Sequence, residues 1–212
     1  ELKILTKTII VIVSDHGDGL GEHESFGHMT QLYNEVISIP MIIYGAGIFP
    51  AGKQINELVS LIDIVPTITD ALQVKKEYQF DGQSLLPLMN DQSFVDRAVF
   101  AETAITQKGI AEKKKTGFPK RYLFPILRCM VTKEWKLIID NNDKPFELYN
   151  MIDDKGEEVN LVETHSKVAE RLLKQFFEQG PTKRAQELSP PEENKSGFDE
   201  NLKQQLQSLG YF

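Results

Sequence analysis

Thr8 to Ser14 reads TIIVIVS, an apolar β-branched run interrupted by no polar side chain between its ends. A half-buried strand alternates apolar and polar residues, whereas an unbroken run of this length suits a strand covered on both faces. That habit belongs to parallel sheets flanked by helices, so the run predicts an α/β layer. It stops abruptly at Asp15-His16-Gly17-Asp18. A second short run, Met41 to Tyr44, follows Pro40 and ends at Gly45-Ala46-Gly47, which makes it a second candidate core strand. Asp63 is placed to cap a helix over Ile64 to Leu72, with Pro66 tolerated in its first turn. Ala98 to Glu102 reads as a weaker third strand.

The pattern then changes. Residues 107–121 contain lysines and glycines and read as an exposed loop. Ile126 to Thr132 and Trp135 to Asp140 flank Lys133-Glu134, an antiparallel hairpin that Phe146 to Tyr149 extends after the turn signal Asn141-Asn142-Asp143. Thr164 is expected to cap a helix with Val168, Leu172, Leu173, Phe176 and Phe177 on one face, stopped by Gly180-Pro181. Residues 182–197 are polar and broken by Pro190-Pro191, an expected mobile stretch, and 199–209 are expected to form a short terminal helix. The expected organisation is therefore an α/β core over 1–106, a loop over 107–121, a hairpin-and-helix subdomain over 122–180 and a tail over 181–212.

Composition narrows the function classes. The 212 residues carry a net charge of −7, which argues against a nucleic-acid or anionic-membrane surface. No apolar run approaches the roughly 20 residues that span a bilayer. A single cysteine, Cys129, excludes an internal disulfide framework and a cysteine-based zinc cluster. Lying in a strand-like run, its thiol is expected to be core. Glu1 opens no signal peptide, and the chain is expected to begin within a domain.

The chemistry concentrates after the first strand. His16, His23 and His28, three of the chain's four histidines, lie among Asp15, Asp18, Glu22 and Glu24, and no Lys or Arg occurs between Lys7 and Lys53. Carboxylates gathered without cationic partners need solvent, protons or a metal ion. In open α/β sheets ligands collect at the carboxyl ends of strands, where Asp15 and His16 sit. Asp after a strand also closes turns, and Gly-Asp-Gly is ordinary turn chemistry, so the residues by themselves leave metal site and plain turn both open.

Ser14 to His28 (SDHGDGLGEHESFGH), then Leu32-Tyr33-Asn34-Glu35 and Ile39-Pro40-Met41-Ile42-Ile43, resembles the sulfatase family of the alkaline phosphatase superfamily. Ser60 to Thr67 (SLIDIVPT), Phe80 to Leu88 (FDGQSLLPL), Trp135 to Ile138, Glu147 to Asn150, Val159 to Leu161 and Leu209 to Tyr211 match further family segments in the right order. The resemblance implies the C-terminal part of an alkaline phosphatase-like sandwich with a mainly parallel sheet, plus a small antiparallel β subdomain with a packed helix.

It implies, too, that Asp15 and His16 supply two ligands to a divalent cation, calcium in most of the family, which holds a sulfate ester against a formylglycine nucleophile for in-line attack at sulfur. An imidazole ligand suits zinc or manganese better than calcium, and those metals go with the runner-up reading, a phosphodiester or phosphonate hydrolase of the same superfamily. A non-catalytic binding module is the third reading. His28 stands where many members carry a sulfate-contacting lysine, and is assigned to substrate binding with a structural role as its alternative. His23 and His165 are read as structural or solvent-facing. The family's Cys/Ser-x-Pro-x-Arg nucleophile motif is absent from this sequence, so no catalytic residue is assigned and the chain alone is expected to be inactive. The expected partners are a sulfated small molecule or carbohydrate and the missing N-terminal half of the same domain; a periplasmic or secreted location follows from the family.

Overall fold

The structure, a computed structural model, describes residues 4–28, 31–75, 79–103 and 127–180. The opening run forms β1 (Ile9–Val13). It leads into a miniature ribbon of β2 (Gly19–Leu20) and β3 (Phe26–Gly27), a one-turn helix α1 (Asn34–Ile37) and β4 (Met41–Gly45). β1 and β4 pair antiparallel, with Ile12 opposite Ile42. All strand pairings among the described residues are antiparallel, so the expected parallel sheet is not found among them. An apolar run signals demand for burial, not strand direction. Direction depends on the connection, and a parallel pair needs a substantial crossover, usually a helix; between β1 and β4 the helical elements are one turn each.

The ribbon of β1 and β4 is covered on one side. Met41 and Ile43 pack with Leu85, Leu88 and Met89 around α3 (Leu86–Met89). On the other side Ile12 is 59% exposed and its partner Ile42 58% exposed.

α2 (Ile64–Ala71) forms where expected, but Asp63 does not cap it with its side chain. Asp63 is instead the third residue of a capping box whose N-cap is Ser60, one turn earlier. Its carboxylate accepts from the Ser60 and Gln83 backbone N–H groups and pairs with Arg97. Fully buried, it needs all three partners, since an unpaired buried carboxylate is strongly disfavoured.

The second sheet runs β5 (Val99–Glu102), β6 (Arg128–Val131), β7 (Trp135–Ile139), β8 (Pro145–Asn150) in spatial order, each neighbour antiparallel. β5, read with the first part of the chain, thus hydrogen-bonds to the hairpin. α4 (Ser166–Gln179) covers one face through Ala169, Leu172 and Phe176 against Met130, Leu137, Ile139 and Leu148. Phe177, expected on that face, is half-exposed. Thr164 does not cap α4: its hydroxyl donates to the Leu161 carbonyl, and the N-cap position falls to His165. Gly180 ends the helix as expected. The opposite face of the sheet buries Cys129, Ile138 and Tyr149 against Leu32, with Tyr33 and Ile37 packed alongside. Cys129 is core, and burial pushes its thiol up to about 11. The expected loop over 107–121 and tail over 181–212 lie outside the described residues. No described helix is long and apolar enough to cross a membrane.

Candidate metal and anion site

Beyond the carboxyl end of β1 the chain turns sharply. Gly17 donates its backbone N–H to the Val36 carbonyl at 2.8 Å. A Cβ at position 17 would lie 2.2 Å from the Glu35 carbonyl oxygen, so only glycine lets the loop seat against α1. Asp15 and His16 stand side by side just before this turn. The Asp15 carboxylate accepts from the His16 backbone N–H at 3.0 Å and lies 3.7 Å from His16 Nε2. His16 Nδ1 is 3.0 Å from the Gly17 carbonyl. A carbonyl only accepts, so Nδ1 donates to it, and Nε2 is the ring nitrogen that faces Asp15.

The β2–β3 ribbon brings in the rest. Its register sets Gly19 opposite Gly27, and one residue further places Asp18 across from His28. His28 Nδ1 meets Asp18 Oδ1 at 2.7 Å, and the His28 ring stacks on His16 with centroids 3.8 Å apart. His16, Asp18 and His28 therefore offer ligand atoms all within 4.8 Å of one another. Asp15 is not a member of that triad, although it touches His16. All four residues are partly or largely open to solvent. A broad cleft nearby, lined by Ile37, Met41, Leu58 and Trp135 among others, excludes all four.

Asp15, His16 and His28 thus come together. Asp18, which the sequence offered only as one carboxylate among four, joins them through the ribbon register. Its signal was present in the spacing of two glycine-adjacent residues, but a two-residue strand pair leaves no readable period.

His23 does not join this group. It points the other way, half-buried, with Nδ1 2.8 Å from Glu35 Oε1 and Nε2 3.1 Å from the Glu157 carbonyl. Its ring stacks on Tyr33 at 3.7 Å. Burial pulls its pKa down, but the bonds to Glu35 and Glu157 outweigh that and leave it raised. Tyr33 in turn donates to Glu147, as does Tyr149. Burial raises the Glu147 carboxyl and pushes the Tyr33 hydroxyl up to about 12.

A Sulfatase family model matches residues 1–74. The chain is similar to arylsulfatase K of Danio rerio, 30% identical over 172 residues, covering 80% of this chain and 31% of the relative. It is similar in structure to a 2-O GAG sulfatase, with a TM-score of 0.68 and 24% identity over 85% of this chain and 38% of the other. The phosphonate monoester hydrolase of Agrobacterium radiobacter gives a TM-score of 0.65 and 24% identity, covering 85% of this chain and 35% of that one. The chain spans under a third of the length of the curated relatives it matches.

Proposed function

We propose that this chain, which belongs to the sulfatase family, carries one wall of the active site of a sulfuric ester hydrolase whose nucleophile lies elsewhere in the parent protein. The observation that carries the reading is the juxtaposition of Asp15, His16, Asp18 and His28 beyond the carboxyl end of β1. Asp15 and His16 would hold a divalent cation, with Asp18 within reach of the same ion. Such a cation, when bound, supplies positive charge to offset that of a sulfate ester.

The donor set bears on which cation. The His16 imidazole beside the Asp15 and Asp18 carboxylates suits a zinc- or manganese-type ion better than calcium, which takes about 6–8 oxygens. For calcium, the family's usual ion, most ligands would have to come from the remainder of the parent protein. With Nδ1–H committed to the Gly17 carbonyl, Nε2 is the nitrogen that His16 would offer to a cation. His28, paired with Asp18, supplies an N–H donor or a positive charge where an ester oxygen would sit, replacing the fixed charge of a lysine.

The substrate is a sulfate monoester on a small molecule or carbohydrate. The formylglycine nucleophile that would attack the ester sulfur, and the location of the enzyme outside the cytoplasm, belong to the same proposal. So does the occupant of the open β1–β4 face: the N-terminal half of the domain, whose strands and helices would cover Ile12 and Ile42. Phosphonate or phosphodiester hydrolysis is the second reading, supported by histidine in place of lysine at position 28 and by the phosphonate hydrolase neighbour.

Isothermal titration of the purified chain with calcium, zinc and manganese tests the site. We expect weak binding, stronger for zinc or manganese, lost in Asp15→Ala and His16→Ala. Equal binding in those variants and the wild type would remove the metal assignment. The chain alone should show no turnover of aryl sulfates, and measurable hydrolysis free of contaminating enzyme would refute the division of the active site.

A further inference from the structure

The loop carrying Asp18 and His28 is held in a conformation that its own residues disfavour. His23 and Glu24 both sit at left-handed φ, 50° and 52°, between Gly21 at 126° and Gly27 at 84°. Non-glycine residues keep such angles only where their surroundings over-determine them. The loop's local bonds are Gly21 N–H to the Ser25 carbonyl at 3.1 Å, Ser25 N–H to the Glu22 carbonyl at 3.0 Å and Leu20 N–H to the Glu22 carboxylate at 2.6 Å, each of modest net worth in an open loop. Something outside the loop selects this shape.

Gln31 Nε2 donates to the Gly27 carbonyl at 3.0 Å, and His23 makes the connection that reaches furthest along the chain. Its ring makes two hydrogen bonds and one stack, all to residues beyond the loop. Glu35, its first partner, lies on α1, which also receives the Gly17 N–H through Val36. α1 is anchored in turn to a buried ion pair. The Glu157 carboxylate accepts the Asn34 backbone N–H at 2.6 Å and pairs with Lys136, both side chains fully buried. Lys136 also donates to Asn34 Oδ1 at 3.4 Å, and Asn34 Nδ2 to the Lys155 carbonyl at 3.2 Å. Glu157 itself has φ 57°. Its backbone carbonyl faces His23 while its carboxylate faces Lys136 and Asn34, so one residue of the segment between β8 and α4 holds both the loop and its support.

We infer that His23 is a positioning residue: it couples the loop bearing Asp18 and His28 to the buried Lys136–Glu157 pair, so that the segment between β8 and α4 sets the geometry of the site. The inference rests on the proposed site for its functional meaning, but the coupling itself is independent of any metal. A buried ion pair contributes little net stability compared with well-packed apolar residues, and fixing a geometry is one attested use of such pairs. Here the Glu157 carboxylate also holds Asn34, the first residue of α1, and α1 holds Gly17 through Val36 and His23 through Glu35.

Hydrogen exchange of the whole chain tests the coupling, followed at the Gly17, Gly21 and Ser25 amides and, as reference, at the amides of β6 to β8. His23→Phe keeps the ring that stacks on Tyr33 and removes both hydrogen bonds. We expect its three loop amides to exchange about tenfold faster or more, the loss expected of a charge-assisted hydrogen bond, with the sheet unchanged. Glu35→Ala should produce a similar rise, and the double variant no more than the larger single effect. Unchanged loop exchange in His23→Phe would overturn the inference. So would an equal rise throughout the sheet, which would make His23 a general stabiliser. Zinc titration of the same variants separates the two readings. Looser loop amides with weaker zinc binding support both, and looser amides with zinc binding absent even in the wild type uphold the coupling while removing the metal site.

Discussion

The strands of the β1–β4 ribbon are the more continuously apolar, yet those of the β5–β8 sheet are the better covered. In β7 every residue from Trp135 to Ile139 is buried, Leu137 and Ile139 under α4 and Ile138 against the segment around Leu32. In β1, Ile12 and Val13 remain open, and in β4 so do Ile42 and Tyr44. A hydrophobic run states how much surface should leave water; whether it does depends on what chain is present to cover it. The second sheet finds both covers within the described residues. The first finds one, and the site residues sit at the end of that half-covered ribbon.

The contrast makes the buried ion pair the most damaging place to cut. Lys136→Met leaves Glu157 buried and unpaired, which should destabilise the chain by about 3–5 kcal/mol. Pairing it with Glu157→Leu should recover much of the loss, because apolar replacement of both partners is often neutral or stabilising. Urea unfolding measures both. A loss under about 1 kcal/mol for the single variant would mean that the second sheet is not closed around this pair.

Core truncation compares the two sheets directly. Leu137→Ala removes side-chain volume from a site sealed on all sides and should cost about 2–5 kcal/mol. Ile12→Ala, at a largely exposed position, should stay within about 0.5 kcal/mol in this chain. Should Ile12→Ala prove as costly as Leu137→Ala, the ribbon is covered after all. In a chain that includes the proposed N-terminal half the cost at Ile12 should rise toward the core range, and no rise there would remove that cover.

The smallest effect concerns pH. His23 faces Glu35, Glu157 with its partner Lys136, and Tyr33, behind which lies Glu147; Glu22 and Glu24 are its neighbours along the chain. Its pKa is raised in the fold, so the stabilisation is complete below the ordinary imidazole value of about 6.5 and is lost as pH climbs through the raised value. The raised Glu147 carboxyl changes stability in the same direction at lower pH. Loop amides, corrected for intrinsic exchange, should therefore lose protection on going from mildly acidic to alkaline pH, while those of β7 do not. A flat profile at Gly21 and Ser25 would show that the charge on His23 contributes nothing to holding the loop.

Much of this was legible in the sequence because it is local. The strand starts and stops, the hairpin of β6 and β7, α2 and the body of α4 follow from periods and turn signals a few residues long. The crowding of Asp15, His16, Asp18 and His28 into one short acidic stretch was equally visible. Helix caps were less so: Asp63 and Thr164 are residue types that cap, but Asp63 was claimed by Gln83 and Arg97, which are distant in sequence.

The sequence by itself determined which segments must leave water and where the metal-type side chains concentrate. Only the tertiary structure decided that β1 runs antiparallel to β4, that Asp18 rather than Asp15 closes a triad with His16 and His28, and that His23 turns away to meet Glu157, 134 residues along the chain. It also decided the burial of Lys136, a residue type almost never fully buried unless paired, whose partner Glu157 lies on a different segment. The physical reason is the same in each case. Propensity and hydrophobic period act over a few residues, whereas the pairing of buried polar groups is chosen by whichever partner the packed chain brings within hydrogen-bond reach.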